Sequence, residues 1–189
     1  HVCNPFMPNL KQNIIIGGLD WGFTAPFSLH LLEVSRVVDQ GGKMFYRART
    51  FLEVYGTQRT PAEWAPEITR AMELYGTRFK DIASIYADPA IFNKGQDGSV
   101  AIRDQFIKAN EGFRKLKKGS NDRIPGWVQM RNWMRIAPDG LPYWQITSNC
   151  KHLIKEIIEA TFDENHPEDL AGEFDHGLDE SRYALKSLK

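Results

Sequence analysis

The sequence contains little cysteine, no excess of charge of either sign and no long hydrophobic run. Cys3 and Cys150 are its two cysteines, and their separation fits neither a metal-ligand motif nor a secreted disulfide framework, which favours a reducing cytoplasm. The 24 lysines and arginines equal the 24 aspartates and glutamates, so any binding to nucleic acid must come from a local basic patch. No apolar stretch is long enough to span a bilayer and no signal peptide or internal repeat is seen, so we expect a soluble protein without a membrane partner.

The chain does contain enough apolar sequence for one folded domain. Of its 189 residues, 42% are hydrophobic and 12% are aromatic, which is typical of a globular protein with a sizeable core. Residues 1–11 are rich in asparagine and proline and predict an irregular lead-in or linker stub. We therefore place the folded domain at residues 12–189.

The first half of this domain predicts three antiparallel strands followed by a crossover. Apolar runs predict the strands at residues 14–21, 27–38 and 43–54. Asp39-Gln-Gly-Gly42 supplies a turn between the last two of them. Thr60-Pro61-Ala-Glu63 predicts a capping box at the start of a helix over residues 60–75. A buried-type strand at residues 82–87 follows this helix, so we expect it to lie parallel to an earlier strand.

The remaining patterns add helices around this sheet. The spacing of apolar residues predicts helices at residues 100–109, 126–135, 149–162 and 175–188, and a short strand at residues 143–147. The predicted fold class is therefore α/β, with a mixed central β-sheet flanked by α-helices. Three antiparallel strands come first in this sheet, and parallel additions follow.

Three acidic residues occupy positions that suggest a function. Asp20 lies within Gly18-Leu-Asp20-Trp-Gly22, directly after an apolar run, and Asp88 ends the run Ile82–Ala87. Burying an unpaired carboxylate is expensive, so acids in such places commonly have a role. Asp179 lies in the last predicted helix, which can cross the sheet and add a third carboxylate. Three converging carboxylates predict a site for two divalent metal ions, Mg²⁺ or Mn²⁺, that act on a phosphodiester.

Asp175 and His176 precede Asp179 by four and three positions, so helical geometry points all three side chains roughly the same way. We therefore include Asp175 as a further candidate metal ligand and His176 as a supporting residue. Each assignment has a structural alternative. Asp20 could form a turn between glycines, Asp88 could start a helix before a proline, and Asp179 could be an exposed acid paired within its helix. Asp175 could be an N-cap, and His176 could stabilise a helix end.

One basic stretch stands out in this otherwise neutral chain. It runs from Phe113 to Asn121 and contains Lys115, Lys117 and Lys118, which are candidate contacts to a DNA backbone. A run of charge is also typical of a solvated surface without a ligand, and composition alone favours that alternative. The stretch gains functional meaning only beside a site that cleaves phosphodiesters.

Three motifs occur along the chain in a characteristic order. They are Gly18-Leu-Asp20-Trp-Gly22, Tyr86-Ala-Asp88-Pro89 and Asp175-His176-Gly-Leu-Asp179-Glu-Ser-Arg182-Tyr183. In this order they resemble the C-terminal nuclease domain of the large terminase subunit of tailed bacteriophages. The resemblance covers nearly the whole chain, and the last motif is its most specific part. It implies an RNase H-like fold, related to retroviral integrases and Holliday-junction resolvases, and metal-dependent cutting of concatemeric double-stranded viral DNA.

The resemblance also implies roles for residues and partners. By motif position, Asp20, Asp88 and Asp179 are the metal-binding catalytic acids. His176 and Asp175 lie beside them. A complete large terminase carries an N-terminal packaging ATPase, but this sequence has no Gly-x-x-x-x-Gly-Lys-Ser/Thr loop, so we expect no ATP hydrolysis from it. We expect the isolated domain to be a monomer. The parent protein would act in the host-cell cytoplasm with this ATPase domain, a small terminase subunit and the portal.

Two alternative interpretations come from other classes of protein. Sugar kinases and actin-like ATPases also carry Gly-x-Asp-x-Gly on a first strand, but they need a second such domain and a second glycine-rich phosphate motif, and this sequence has neither. A non-catalytic module of the same fold could instead bind DNA or serve as a docking surface. That hypothesis predicts that Asp20→Asn leaves every activity unchanged, whereas the substitution would disable a metal nuclease.

Overall fold

The computed structural model describes residues 1–95, 98–165, 168–171 and 176–188. The described residues form nine strands and five α-helices. The strands are β1 Val2–Cys3, β2 Ile14–Asp20, β3 Phe27–Val38, β4 Met44–Gly56, β5 Ile82–Ala87, β6 Leu116–Lys118, β7 Trp144–Thr147, β8 Thr161–Phe162 and β9 Leu170–Ala171. The helices are α1 Pro61–Leu74, α2 Ile102–Ala109, α3 Arg123–Trp133, α4 Lys151–Glu159 and α5 His176–Lys186. None of these described helices is both long and apolar enough to cross a membrane.

Seven of the strands form one mixed sheet in the order β1-β7-β4-β3-β2-β5-β6. The central strands β2, β3 and β4 pair antiparallel. β5 and β6 extend the sheet in parallel on one side, and β7 and β1 extend it in parallel on the other. α1 lies between β4 and β5 in the chain, which allows β5 to return parallel to β2. The predicted α/β class, with three antiparallel strands and parallel additions, is confirmed.

Helices cover both faces of the sheet, and each face has its own hydrophobic core. Phe27 and Trp64 belong to the first core, which packs α1 and α2 against the sheet. Trp127 belongs to the second core, which packs α3, α4 and α5 against the opposite face. Because side chains alternate along a strand, Leu19 of β2 enters the first core and Ile16 enters the second. Even-numbered positions of β2 therefore face α5.

The structure differs from the prediction in three short segments. The irregular lead-in predicted for residues 1–11 is wrong for Val2–Cys3, which pair with β7 at the edge of the sheet. Leu116–Lys118 form a strand inside the basic stretch. The helix predicted for residues 149–162 ends at Glu159, after which β8 pairs with β9. Each of these short segments pairs with a partner that local composition does not reveal.

Candidate active site

Asp20 and Asp88 lie at the carboxyl ends of two neighbouring parallel strands. The register of β2 and β5 pairs Leu19 with Ala87, so the two aspartates directly follow paired residues. The backbone N–H of Asp88 donates to the carbonyl oxygen of Leu19 at 3.2 Å, which continues this pairing. One carboxylate oxygen of Asp88 accepts a hydrogen bond from the N–H of Ala90 at 2.9 Å and caps the turn that follows. Asp88 therefore does both things: it follows the end of β5, and its side chain caps the next turn, as the structural alternative predicted.

Asp179 reaches this edge of the sheet because α5 lies almost in contact with the backbone of β2. A Cβ atom at Gly18 would lie 2.2 Å from the carbonyl oxygen of Glu180, so only glycine permits this approach. Gly18 and Asp20 are even-numbered positions of β2 and face α5. Asp179 precedes Glu180 in the first turn of that helix. The close packing at Gly18 therefore determines where the third carboxylate sits.

The pKa of Asp20 responds to burial and to both of the other carboxylates. Burial raises the pKa of Asp20 to about 6. A hydrogen bond with His176, whose Nδ1 lies 2.7 Å from Oδ2 of Asp20, opposes this rise. The negative charges of Asp179 and Asp88 raise the pKa further. At this edge of the sheet, His176 thus contacts Asp20 directly, and the charges of Asp88 and Asp179 act on it.

Two arginines hold the carboxylate of Asp179. Arg182, which is 1% exposed, donates from Nε and its terminal nitrogen to Oδ1 at 2.8 and 2.7 Å. Arg182 also donates to the carbonyl oxygen of Ser120 at 3.0 Å. Arg123 approaches the other carboxylate oxygen of Asp179 at 2.8 Å and also contacts Asp169. The predicted pairing of Asp179 within its helix is therefore present, but the residue is nearly buried instead of exposed.

The three carboxylates offer the type of donor atom that a hard divalent cation binds. Carboxylate oxygens are the ligands that Mg²⁺ and Mn²⁺ prefer, and each carboxylate oxygen has two lone pairs, so a bond to His176 or to an arginine does not exhaust it. Within the described residues, no group of three or more His, Cys, Asp or Glu side chains is arranged so that it could hold a metal ion. Asp175, the fourth candidate ligand, lies outside the described residues. Asp20, Asp88 and Asp179 are accordingly the candidate ligands that the structure positions.

The three candidate DNA-binding lysines occupy different positions. Lys117 and Lys118 belong to β6 and pair with Tyr86 and Ala87, directly before Asp88. Because side chains alternate, Lys117 shares the face of Asp20 and Asp88, whereas Lys118 lies on the other face, 5.7 Å from the ring of Phe92. Lys115 lies in the turn before β6. Two of the three lysines are therefore on the strand next to Asp88.

The contact of Arg123 with Asp179 and a buried ionisable group were missed by the sequence reasoning. The group consists of Glu180 of α5 together with His30, Glu53 and Glu156, which lie next to the start of that helix. His30 and Glu180 are fully buried. A charged or polar side chain inside an apolar strand is the signal that identified Asp20, and the same signal was present at His30 in β3.

Solved structures share this fold, although no protein-family model and no curated protein matches the sequence. The nuclease domain of the P22 large terminase matches with a TM-score of 0.66 and 16% identity, over 96% of this chain and 84% of that domain. The large terminase nuclease of thermophilic phage G20c, solved with bound zinc, matches with a TM-score of 0.57 and 12% identity, over 100% of this chain and 94% of that one. A large terminase from a thermophilic bacteriophage matches with a TM-score of 0.68 and 17% identity.

The chain spans 42% of the length of that last large terminase. Identities of this size establish the fold. The protein therefore has the α/β fold of large terminase nuclease domains, and the predicted RNase H-like architecture is confirmed.

Proposed function

We propose that the chain is the metal-dependent endonuclease domain of a DNA-packaging terminase, and that it cuts concatemeric double-stranded DNA by hydrolysing phosphodiesters. The observation that carries this proposal is that Asp20 and Asp88 directly follow paired residues of β2 and β5, and that the charges of Asp88 and Asp179 both act on Asp20. The shared fold of terminase nuclease domains supports it. Two divalent ions, Mg²⁺ or Mn²⁺, would be held by these three carboxylates.

Each residue has a distinct part in this proposal. Bound divalent ions would supply positive charge for the phosphodiester and make water a better nucleophile. Asp20 interacts with both other acids, so it is the candidate ligand shared by the two ions, with Asp88 and Asp179 each completing one site. An ionised Asp20 can only accept a hydrogen bond, so Nδ1 of His176 carries the proton between them and fixes the orientation of the carboxylate.

The wider context of the proposal comes from the resemblance to large terminases. In the parent protein, an N-terminal packaging ATPase would precede this domain, and the small terminase subunit and the portal would be its partners. The isolated domain would be monomeric and would act in the host cytoplasm. The chain covers only 42% of a solved large terminase, which is consistent with further domains in the parent protein.

The proposal is tested by incubating supercoiled plasmid with the purified protein in Mg²⁺, in Mn²⁺ and in EDTA. We expect nicked and linear DNA with at least one of the two metals and intact plasmid in EDTA, because three carboxylates alone supply no positive charge to stabilise the reacting phosphodiester. Cleavage that persists in EDTA would contradict the metal mechanism. Folded protein that binds DNA but cuts with neither metal would favour the non-catalytic DNA-binding module.

Lys117 and Lys118 are expected to contribute to DNA affinity through phosphate contacts. Removing both should weaken binding to duplex DNA and reduce the slope of log affinity against log salt by about 0.9 for each lost contact. The measurement is a salt titration of DNA binding in EDTA, which prevents cleavage. Lys43→Ala is the matched control, because Lys43 lies at the opposite end of the β3–β4 hairpin from Asp20. An unchanged slope would mean that these lysines are only a solvated surface.

A further inference from the structure

The first turn of α5 is held by a side chain from another helix. Glu156 of α4 accepts hydrogen bonds from the backbone N–H groups of Gly177 and Leu178 at 2.7 and 3.2 Å. The first N–H groups of a helix have no partner within the helix, and a carboxylate is favoured there by the helix dipole as well. Glu156 is only 6% exposed, so water does not replace it readily. It acts as a cap supplied from outside the helix.

The two capped residues lie between the two side chains that α5 contributes to the candidate active site. His176 directly precedes Gly177, and Asp179 directly follows Leu178. His176 bonds to Asp20. A shift of this turn would therefore move both side chains relative to Asp20 at the same time.

α4 is itself anchored to the central sheet in the same way. Glu53 of β4 accepts hydrogen bonds from the N–H groups of His152 and Leu153 at 3.0 and 2.9 Å. The two glutamates thus cap two helices in succession: Glu53 of β4 caps the start of α4, and Glu156 of α4 caps the start of α5. The position of α5 is set by the sheet through α4 as well as by direct packing at Gly18.

His30 connects Glu53 directly to α5, because it contacts both Glu53 and Glu180. Its Nε2 lies 2.9 Å from Glu53, and its Nδ1 is bonded to Glu180 of α5. Burial would lower the pKa of His30, but the charges and hydrogen bonds of Glu180 and Glu53 outweigh it and raise the pKa to about 10. His30 therefore joins two carboxyl side chains, one from β4 and one from α5. The contacts leave the first turn of α5 little freedom to move.

We propose that Glu156 is a positioning residue of the nuclease site, and that its hydrogen bonds to the first turn of α5 fix His176 and Asp179 for metal binding against Asp20. This inference rests on the proposed metal-dependent function. It assigns to Glu156 a role in metal affinity and turnover, with no contact to DNA or to the metal. A cap that only stabilised the fold would affect neither property in the folded protein.

The test compares Glu156→Ala and Glu156→Gln with Glu159→Ala. Glutamine keeps a side-chain oxygen that can accept from both N–H groups, whereas alanine removes the acceptor. Glu159 is a matched control because it is an exposed carboxylate on the same helix, paired only with Lys155 in the contacts described. Mn²⁺ affinity is measured by calorimetry, and kcat and KM for plasmid cleavage are measured at a temperature where all variants are folded by circular dichroism.

For Glu156→Ala we expect Mn²⁺ affinity and kcat to fall about 10- to 100-fold, the range for residues that orient metal ligands, with KM for DNA unchanged. Glu156→Gln should recover most of both losses, and Glu159→Ala should match the wild type. Amide hydrogen exchange at Gly177 and Leu178 should become faster in the alanine variant only. If alanine prevents folding, Glu156→Asp replaces it, because its shorter side chain cannot keep both hydrogen bonds.

Two results would overturn the inference. A folded Glu156→Ala protein with wild-type Mn²⁺ affinity and kcat would show that the cap is purely structural. A glutamine variant as impaired as the alanine variant would show that hydrogen bonding to the first turn is not what matters. Failure of the proposed function is distinguishable from both, because the wild-type protein would then neither bind Mn²⁺ nor cut DNA.

Discussion

Asp20→Asn is expected to lower the rate of plasmid cleavage by about 10³-fold, since charge stabilisation by a catalytic metal contributes several kcal/mol and each 1.4 kcal/mol is about tenfold in rate. The substitution is nearly isosteric, and the asparagine oxygen can still accept the hydrogen bond from His176. What is lost is the negative charge that would be shared by two ions. Single-turnover cleavage with Mn²⁺ measures this effect separately from DNA binding.

The same variant should be more stable than the wild type when metal is absent. The pKa of Asp20 is about 6 in the folded protein, against about 3.9 for an unfolded chain. A carboxylate whose pKa is raised by folding favours the folded state at low pH, and this benefit is lost as the pH rises through about 6. At pH 7.5 the ionised, buried Asp20 therefore costs stability, by up to about 3 kcal/mol for a shift of this size.

Thermal unfolding in EDTA checks this second half of the prediction. Asp20→Asn should unfold at a higher temperature than the wild type at pH 7.5, and the difference should vanish near pH 4. Mn²⁺ should raise the unfolding temperature of the wild type and leave that of the variant almost unchanged. Wild-type cleavage should also be lost at pH 4, because a protonated Asp20 cannot hold a metal ion.

Asp39→Asn is the matched control for both measurements. Asp39 lies in the β3–β4 turn, and its Oδ1 accepts a hydrogen bond from the N–H of Lys43 at 2.8 Å, which an asparagine oxygen can also accept. This variant should cleave plasmid and unfold like the wild type. Wild-type cleavage by Asp20→Asn would instead support a non-catalytic module or a different active site.

The parts of the site that the sequence could predict are those with a strong local signal. Asp20 and Asp88 each end an apolar run, and an apolar run of that length is enough to place a strand. The helix spacing of His176 and Asp179 likewise places both on one side of α5. Because parallel strands present their carboxyl ends at one edge, the convergence of Asp20 and Asp88 follows from the predicted crossover.

The residues that support these acids could not be predicted, because their partners are distant in the sequence. Arg123 meets Asp179, and His30 meets Glu180, only after the sheet has assembled and α5 has crossed it. Nothing near Glu156 in the sequence indicates that it caps another helix. β6 was hidden for a similar reason, since three residues in a basic run carry no periodicity and become a strand only by pairing with β5.

Gly18→Ala is expected to destabilise the protein by about 3 kcal/mol or more, because overpacking of this severity cannot be relieved by a rotamer change. The new Cβ would lie 2.2 Å from the backbone oxygen of Glu180 and 2.1 Å from its carboxylate. The side chain could move, but the backbone could yield only if α5 lifted away from β2. Asp179 would move with α5, so any protein that still folds should also lose cleavage.

Urea unfolding of Gly18→Ala beside Gly41→Ala separates this cause from the general effect of replacing glycine. A Cβ at Gly41 would meet only the side chain of Asp39, at 3.4 Å, so the stability of that variant should stay within about 0.5 kcal/mol of the wild type. If the two variants are equally stable, α5 does not approach β2 at Gly18 in solution. The proposed site would then lose its third carboxylate, because the position of Asp179 depends on that approach. If only Gly18→Ala loses much of its stability, the close contact between β2 and α5 is present in solution. Gly18 would then be the residue that lets α5 bring Asp179 close to Asp20.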